Sequence, residues 1–161
     1  MGYHFFLKAT GSDQGPLAGD SPHAGEGRSL CYQLHFKGSV NNDPNRSKES
    51  AARSHEPLTI VKPWGPSSPQ FMAAFWNNEP LSEVELQFLQ PDGKGNPEVV
   101  FHEIHLKNAT IASLELRAGK HSDAPNEAPP ELEYISFRFE KMTVKNAPGK
   151  TIATFDFKNR G

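Results

Sequence analysis

Cysteine is nearly missing from this chain: Cys31 stands alone among 161 residues. That count excludes an internal disulfide and a cysteine-ligated zinc cluster. No apolar run approaches the ~18 residues that cross a bilayer. The opening Met1–Lys8 lacks the basic-then-apolar pattern of a signal peptide. An excess of one charge is missing too. The 17 Lys and Arg against 19 Asp and Glu leave a net charge of −2. They are scattered, so nothing favours nucleic acid or an anionic membrane as partner. Apolar residues supply only 35% of the chain, and mean hydropathy is −0.63. Sizeable segments are therefore expected to be solvated or kept for partners, although the length suits one domain, 1–161, with a real core. The expectation is a soluble protein made in a cytoplasm.

What is there is organised around His55–Pro80, HEPLTIVKPWGPSSPQFMAAFWNNEP. Leu58–Val61 reads as a short strand, and Pro63–Pro66 as a broken connector. A helix start follows, with Ser68 placed to cap and Pro69 at the first turn, where its missing N–H costs nothing. Phe71, Met72, Phe75 and Trp76 are the expected buried face, and Asn77, Asn78 and Pro80 the stop. A helix of about ten residues is marginal alone in water, so it must lie against a sheet.

The rest of the chain supplies strands. Tyr3–Lys8 alternates and is mostly apolar. Leu30–Gly38 has the clearest two-residue period, with Leu30, Tyr32, Leu34 and Phe36 expected inside and Cys31, Gln33, His35 and Lys37 outside. Glu83–Gln90 sets Val84, Leu86 and Phe88 against Glu83, Glu85 and Gln87, a half-exposed strand. Pro91–Pro97 is a turn by its chemistry, and Val99–Leu106 returns as the hairpin partner. Asn108-Ala109 suggests a second tight reversal into Ile111–Arg117. Glu133–Val144 is a long strand with Ile135, Phe137 and Phe139 inside. Asn146–Gly149 then turns into Thr151–Phe157, which has Phe155 and Phe157 on one face. Residues 9–29, 39–57 and 118–131 read as long loops. The sum is a mainly β fold, a compact barrel or sandwich of about eight strands with one short helix packed on its flank.

Catalytic signals are weak. His102 and His105 lie three apart on a strand, which sends their rings to opposite faces and argues against a shared metal. Cys31 has no nearby base. No serine sits in a G-x-S-x-G elbow, and Gly11–Gly27 lacks the ending of a phosphate loop. Glu83 and Glu85 read as a solvated acidic face. The aromatic residues keep core periods, unlike a single-stranded nucleic-acid platform. No catalytic, cofactor or metal site is expected.

The central stretch, H-E-P-L-T-I-V-K-x-W-x-x-S-S-P-Q followed by an apolar helix and N-N-E-P-L, resembles the Hcp family of bacterial type VI secretion. Further blocks are similar in the same order. These are Phe5-Phe6-Leu7-Lys8, Gly19-Asp20-Ser21 with His23, Gly25 and Glu26, and the Asp92-Gly93 turn. Leu106-Lys107-Asn108-Ala109, Leu132-Glu133 with Ile135-Ser136-Phe137, and Asn146 with Gly149-Lys150-Thr151 follow. Gly27 departs from an apolar position of the family, and Phe155-Asp156-Phe157 from a more usual Asp-Asp-Trp.

The resemblance implies a structural subunit of an inner tube, built of hexameric rings that stack and are expelled, and no enzymatic activity. It implies the chain itself, a VgrG-type spike, a contractile sheath and small effector proteins as partners. It also implies assembly in the bacterial cytoplasm and secretion without a signal peptide. Asp43, Arg46, Lys48, Glu49, Arg53 and Glu56 make the mixed-charge segment Ser39–Pro57 the expected stacking arm between rings. The competing reading of the same residues is a small-ligand-binding β-barrel without a secretion role. It requires a deep apolar pocket inside one subunit.

Overall fold

Apolar residues on both faces make the first strand, β1 (His4–Gly11), a buried one. Phe5 and Leu7 enter the main core, and Phe6 meets Leu89, Leu30 and Val100 on the other side. The computed structural model describes residues 4–19, 27–40, 53–96, 98–119 and 131–157. After β1 come β2 (Gly15–Pro16), β3 (Ser29–Cys31), β4 (Gln33–His35), β5 (Gly38–Val40), β6 (Arg53–His55) and β7 (Leu58–Pro63). The helix α1 (Ser68–Trp76) precedes β8 (Leu81–Gln90), β9 (Val99–Ala118), β10 (Glu131–Arg138), β11 (Lys141–Asn146) and β12 (Thr151–Asp156). The fold is mainly β with one short helix among the described residues. The strands outnumber the eight or so expected because several are pieces of two or three residues.

The order β1-β8-β9-β10-β7-β4 closes on itself through one bend. Residues 29–31 pair with β1, as Phe5↔Cys31 and Leu7↔Ser29. Residues 33–35 pair instead with β7, as Gln33↔Val61 and His35↔Thr59. Tyr32 carries the switch, its N–H donating to the Val61 carbonyl at 2.8 Å. The expected alternation over Leu30–Gly38 therefore breaks in the middle: Cys31 is buried and Tyr32 is exposed. One strand in sequence serves as two in space.

The opposite correction applies to β9. Asn108 does adopt the left-handed conformation of a turn residue, at φ 51°, but no reversal follows. Both neighbours stay paired, so the same signal makes a kink in one strand of 20 residues. Its first half pairs with β8 and β11, its second with β10. Inward residues run Ile104 and Leu106, then Ala109 and Ile111, then Leu114, so facing changes at Asn108 and again around Ala112, where the register shifts. The side chain of Asn108 donates to Glu140. Along one edge of β9, β10 and β11 form nearly the single strand expected, with Ile135 and Phe137 fully buried and Phe139 close to it.

On the flank, α1 lays Phe71 and Ala74 on the barrel, with Phe71 edge-on to Phe137 at 6.3 Å. Met72 and Phe75 are half-buried, and Trp76 is 73% exposed. Trp76 lies five residues beyond Phe71, about 140° round the helix, so the expected four-residue face cannot all point inward. Its indole N–H reaches the Met72 sulfur at 3.1 Å. The cap position is Ser67, without a side-chain cap bond. The Ser68 hydroxyl instead accepts from Gly65 N–H and donates to Glu133.

The expected loops are shorter than read. β1 extends through Ala9 to Gly11, β2 folds back on it, and Leu17 is buried. The Glu79 carboxylate holds this turn by accepting from Asp13 N–H and Gln14 N–H at 3.0 and 2.9 Å. Those bonds, that of Gln14 N–H foremost, lower the Glu79 pKa. In the 39–57 segment, β5 and β6 pair as Val40↔Arg53 and Gly38↔His55. At Asp92–Asn96 the turn is as expected. Gly93 and Gly95 take positive φ, and Asp92 accepts from the Asn96 amide, Lys94 N–H and Asn96 N–H, the first of which does most to lower its pKa.

Candidate functional site

Among the described residues, two longer strand edges and one groove are open to partners. β12 pairs with β11 alone, and all six of its residues are exposed. Ile152 and Phe155 stand out from it, at 64% and 46% exposure. β9 from Thr110 to Ala118 has β10 on one side and no strand on the other among the described residues. Unpaired edges of this kind template addition of a strand from another chain.

Beside β12 lies a groove of about 790 Å³, lined by Phe36, Leu58, Ile104, Met142, Val144 and Phe155 among others. His55 from β6 ties its aromatic end together, stacking on Phe139 at 5.1 Å and meeting Phe157 at 4.6 Å. The paired strands β5 and β6 contribute Val40 and Arg53 to its lining. Glu56 approaches the His35 ring at 3.9 Å. Asp43, Arg46, Lys48 and Glu49 lie outside the described residues. Of the expected arm, then, Arg53 lines the groove and Glu56 lies against His35.

Other candidates fall as follows. The Cys31 thiol is buried and faces the Ser29 carbonyl at 3.6 Å. His102 and His105 do occupy opposite faces. His102 packs edge-on to Phe88 and contacts Asn146. His105 sits among Glu83, Glu85 and Glu103. Sequence reasoning missed the fully buried ion pair of Lys62 on β7 with Glu133 on β10, which are directly paired in the ladder. The one available signal was that both residues fall within the blocks carrying the Hcp resemblance.

The described residues form a self-closed β-barrel with one helix on its flank. The family described as "Type VI secretion system effector, Hcp" matches residues 6–145, and the chain belongs to it, among the tube proteins of type VI secretion. A "Major exported protein" of Pseudomonas aeruginosa is 25% identical over 120 residues, covering 74% of this chain and 69% of that protein. Among solved structures, a crystal structure of an Hcp protein superposes with a TM-score of 0.87 at 20% identity, covering 98% of this chain and 99% of that one. The secreted protein Hcp3 from Pseudomonas aeruginosa gives 0.76 at 18% identity, covering 98% and 100%.

Proposed function

We propose that this chain, as one Hcp-like β-barrel domain, is the subunit of hexameric rings that stack into the inner tube of a type VI secretion system. The rings are expelled under a VgrG-type spike by a contractile sheath, with small effectors carried in the lumen. Assembly takes place in the bacterial cytoplasm, and export needs no signal peptide. The subunit works through its outer surfaces and makes or breaks no bond.

The observation that carries this reading is the presence of two unlike open edges on one subunit, β12 with its apolar groove and β9 from Thr110 to Ala118. Two different surfaces are what a closing head-to-tail contact requires, and pairing them removes edges prone to aggregation. The segment 39–57, whose described ends pair as β5 and β6, serves as the stacking arm. Its surface ion pairs are worth ~0–1 kcal/mol each and gain strength by repetition around the ring.

The competing reading, a small-ligand-binding barrel, would use the apolar groove, which reaches Leu58 and Ile104 of the core. Thermal stabilisation of a lone subunit by a small apolar molecule, with no ring formed, is the outcome that favours it.

Sedimentation and negative-stain imaging test the proposal. A hexamer-sized ring is expected, and a species of 17.8 kDa alone at high micromolar concentration overturns it. Charge reversal at Arg46, Lys48 and Arg53 together is expected to keep rings and impair stacking. Loss of the ring itself in that variant places the ring interface in the arm instead.

A further inference from the structure

We infer that Glu83, Glu85 and His105 form a binding site for a divalent transition-metal cation, zinc first among them, on the outer face of β8 and β9. The ladder sets Glu85 directly across from His105, and Glu83 two residues along the same face. The ring is bracketed by carboxylates. His105 Nδ1 is 3.6 Å from Glu83 Oε1, and Nε2 is 3.8 Å from both Glu85 Oε1 and Glu103 Oε2. One donor atom from each of Glu83, Glu85 and His105 falls within 4.8 Å of the others. Zinc holds imidazole nitrogen and carboxylate oxygen at about 2.0–2.2 Å, which places neighbouring donors about 3.4 Å apart. Glu83 approaches Nδ1 and Glu85 approaches Nε2, so binding one ion requires the ring and the half-exposed Glu83 carboxylate to turn until the donors, now within 4.8 Å of one another, close to that spacing.

Unpaired atoms point to a ligand as well. His105 Nε2 is buried and has no hydrogen-bond partner. Gln87, only 8% exposed, donates its amide N–H groups to Glu85 at 2.9 Å and Glu103 at 3.0 Å, leaving its own Oε1 unpaired. A buried amide that fixes a carboxylate beside an imidazole is the outer-shell arrangement that orients metal ligands.

Lys8, Lys107 and Lys145 are cross-strand neighbours of Glu85, Glu83 and Glu103, yet among the described residues none forms an ion pair with those carboxylates. The imidazole donor favours a transition metal over magnesium or calcium, which prefer oxygen alone. The Glu83 side chain is half-exposed, so the fourth position opens to solvent. The ion joins β8 to β9 from outside and stabilises the folded chain in proportion to its occupancy.

The full chain, stripped with chelator, is titrated with zinc chloride by calorimetry and with cobalt chloride by visible absorption. One ion per chain is expected, with ligand-field bands from cobalt and a zinc-dependent rise in melting temperature. His105→Gln and Glu83→Gln each lower zinc affinity at least tenfold, Gln87→Met lowers it by about tenfold, and His102→Gln leaves it unchanged. The half-exposed Glu83→Gln variant keeps the test open if His105→Gln does not fold. Absence of zinc binding, or binding that survives both His105→Gln and Glu83→Gln, overturns the proposal.

Discussion

β10 and β11 continue one another along β9, yet they end in opposite surroundings. β10 is covered on its far edge by β7 and on its face by α1, so that Glu133, Ile135 and Phe137 lose all contact with solvent. β11 is covered on its far edge by β12, a strand with no buried residue of its own. One end of the strand pair is finished within the subunit. The other is left apolar and open, which a lone subunit tolerates poorly and an assembling one uses.

The buried end is most easily broken at its ion pair. Lys62→Met leaves Glu133 as an uncompensated charge with its Oε2 already lacking a hydrogen-bond donor. A loss of about 3–5 kcal/mol in urea unfolding is expected. Adding Glu133→Leu restores most of it, because removing both charges removes the desolvation cost. A double variant as unstable as Lys62→Met would refute that account.

A smaller, pH-dependent effect is expected where α1 runs into β8. Glu79 has a lowered carboxyl pKa in the folded state, so its contribution is present above the unfolded carboxylate value of about 4.3. It fades as the pH falls through the lower folded value. The stability gap between wild type and Glu79→Gln is therefore expected to narrow with acid below pH ~4.3. A gap independent of pH over that range would show that the charge of Glu79 is not what holds the turn.

The smallest effect on folding is expected at the open end. Phe155→Ser changes monomer stability by no more than about 0.5 kcal/mol, because the ring is already half in water. In the same variant the sedimenting assembly shifts toward monomer. A large loss of stability with assembly intact would reverse the comparison.

Local chemistry was enough to read much of this. The β8–β9 hairpin follows from alternating apolar residues around Asp92-Gly93, and the core of β10 from Ile135, Phe137 and Phe139. Where the reading failed, a local signal admitted two uses. Asn108 tolerates positive φ equally in a turn and in a kinked strand, and only its pairing with both neighbours decides. Tyr32 looks like any residue of a strand until the chain must serve two partners. Trp76 is apolar enough for the core but sits on the wrong side of α1. The Lys62–Glu133 pair and the His105 cluster were beyond reach for another reason: both depend on cross-strand register, which no window along one strand contains.

The length of β9 sets how the molecule comes apart. One strand pairs with β8 and β11 through its first half and with β10 through its second, so the three ladders share a single backbone. Partial opening from that centre is disfavoured. Amide protons along 102–107, where β9 is paired on both sides, should exchange together through whole-molecule unfolding, while those of β12 exchange early.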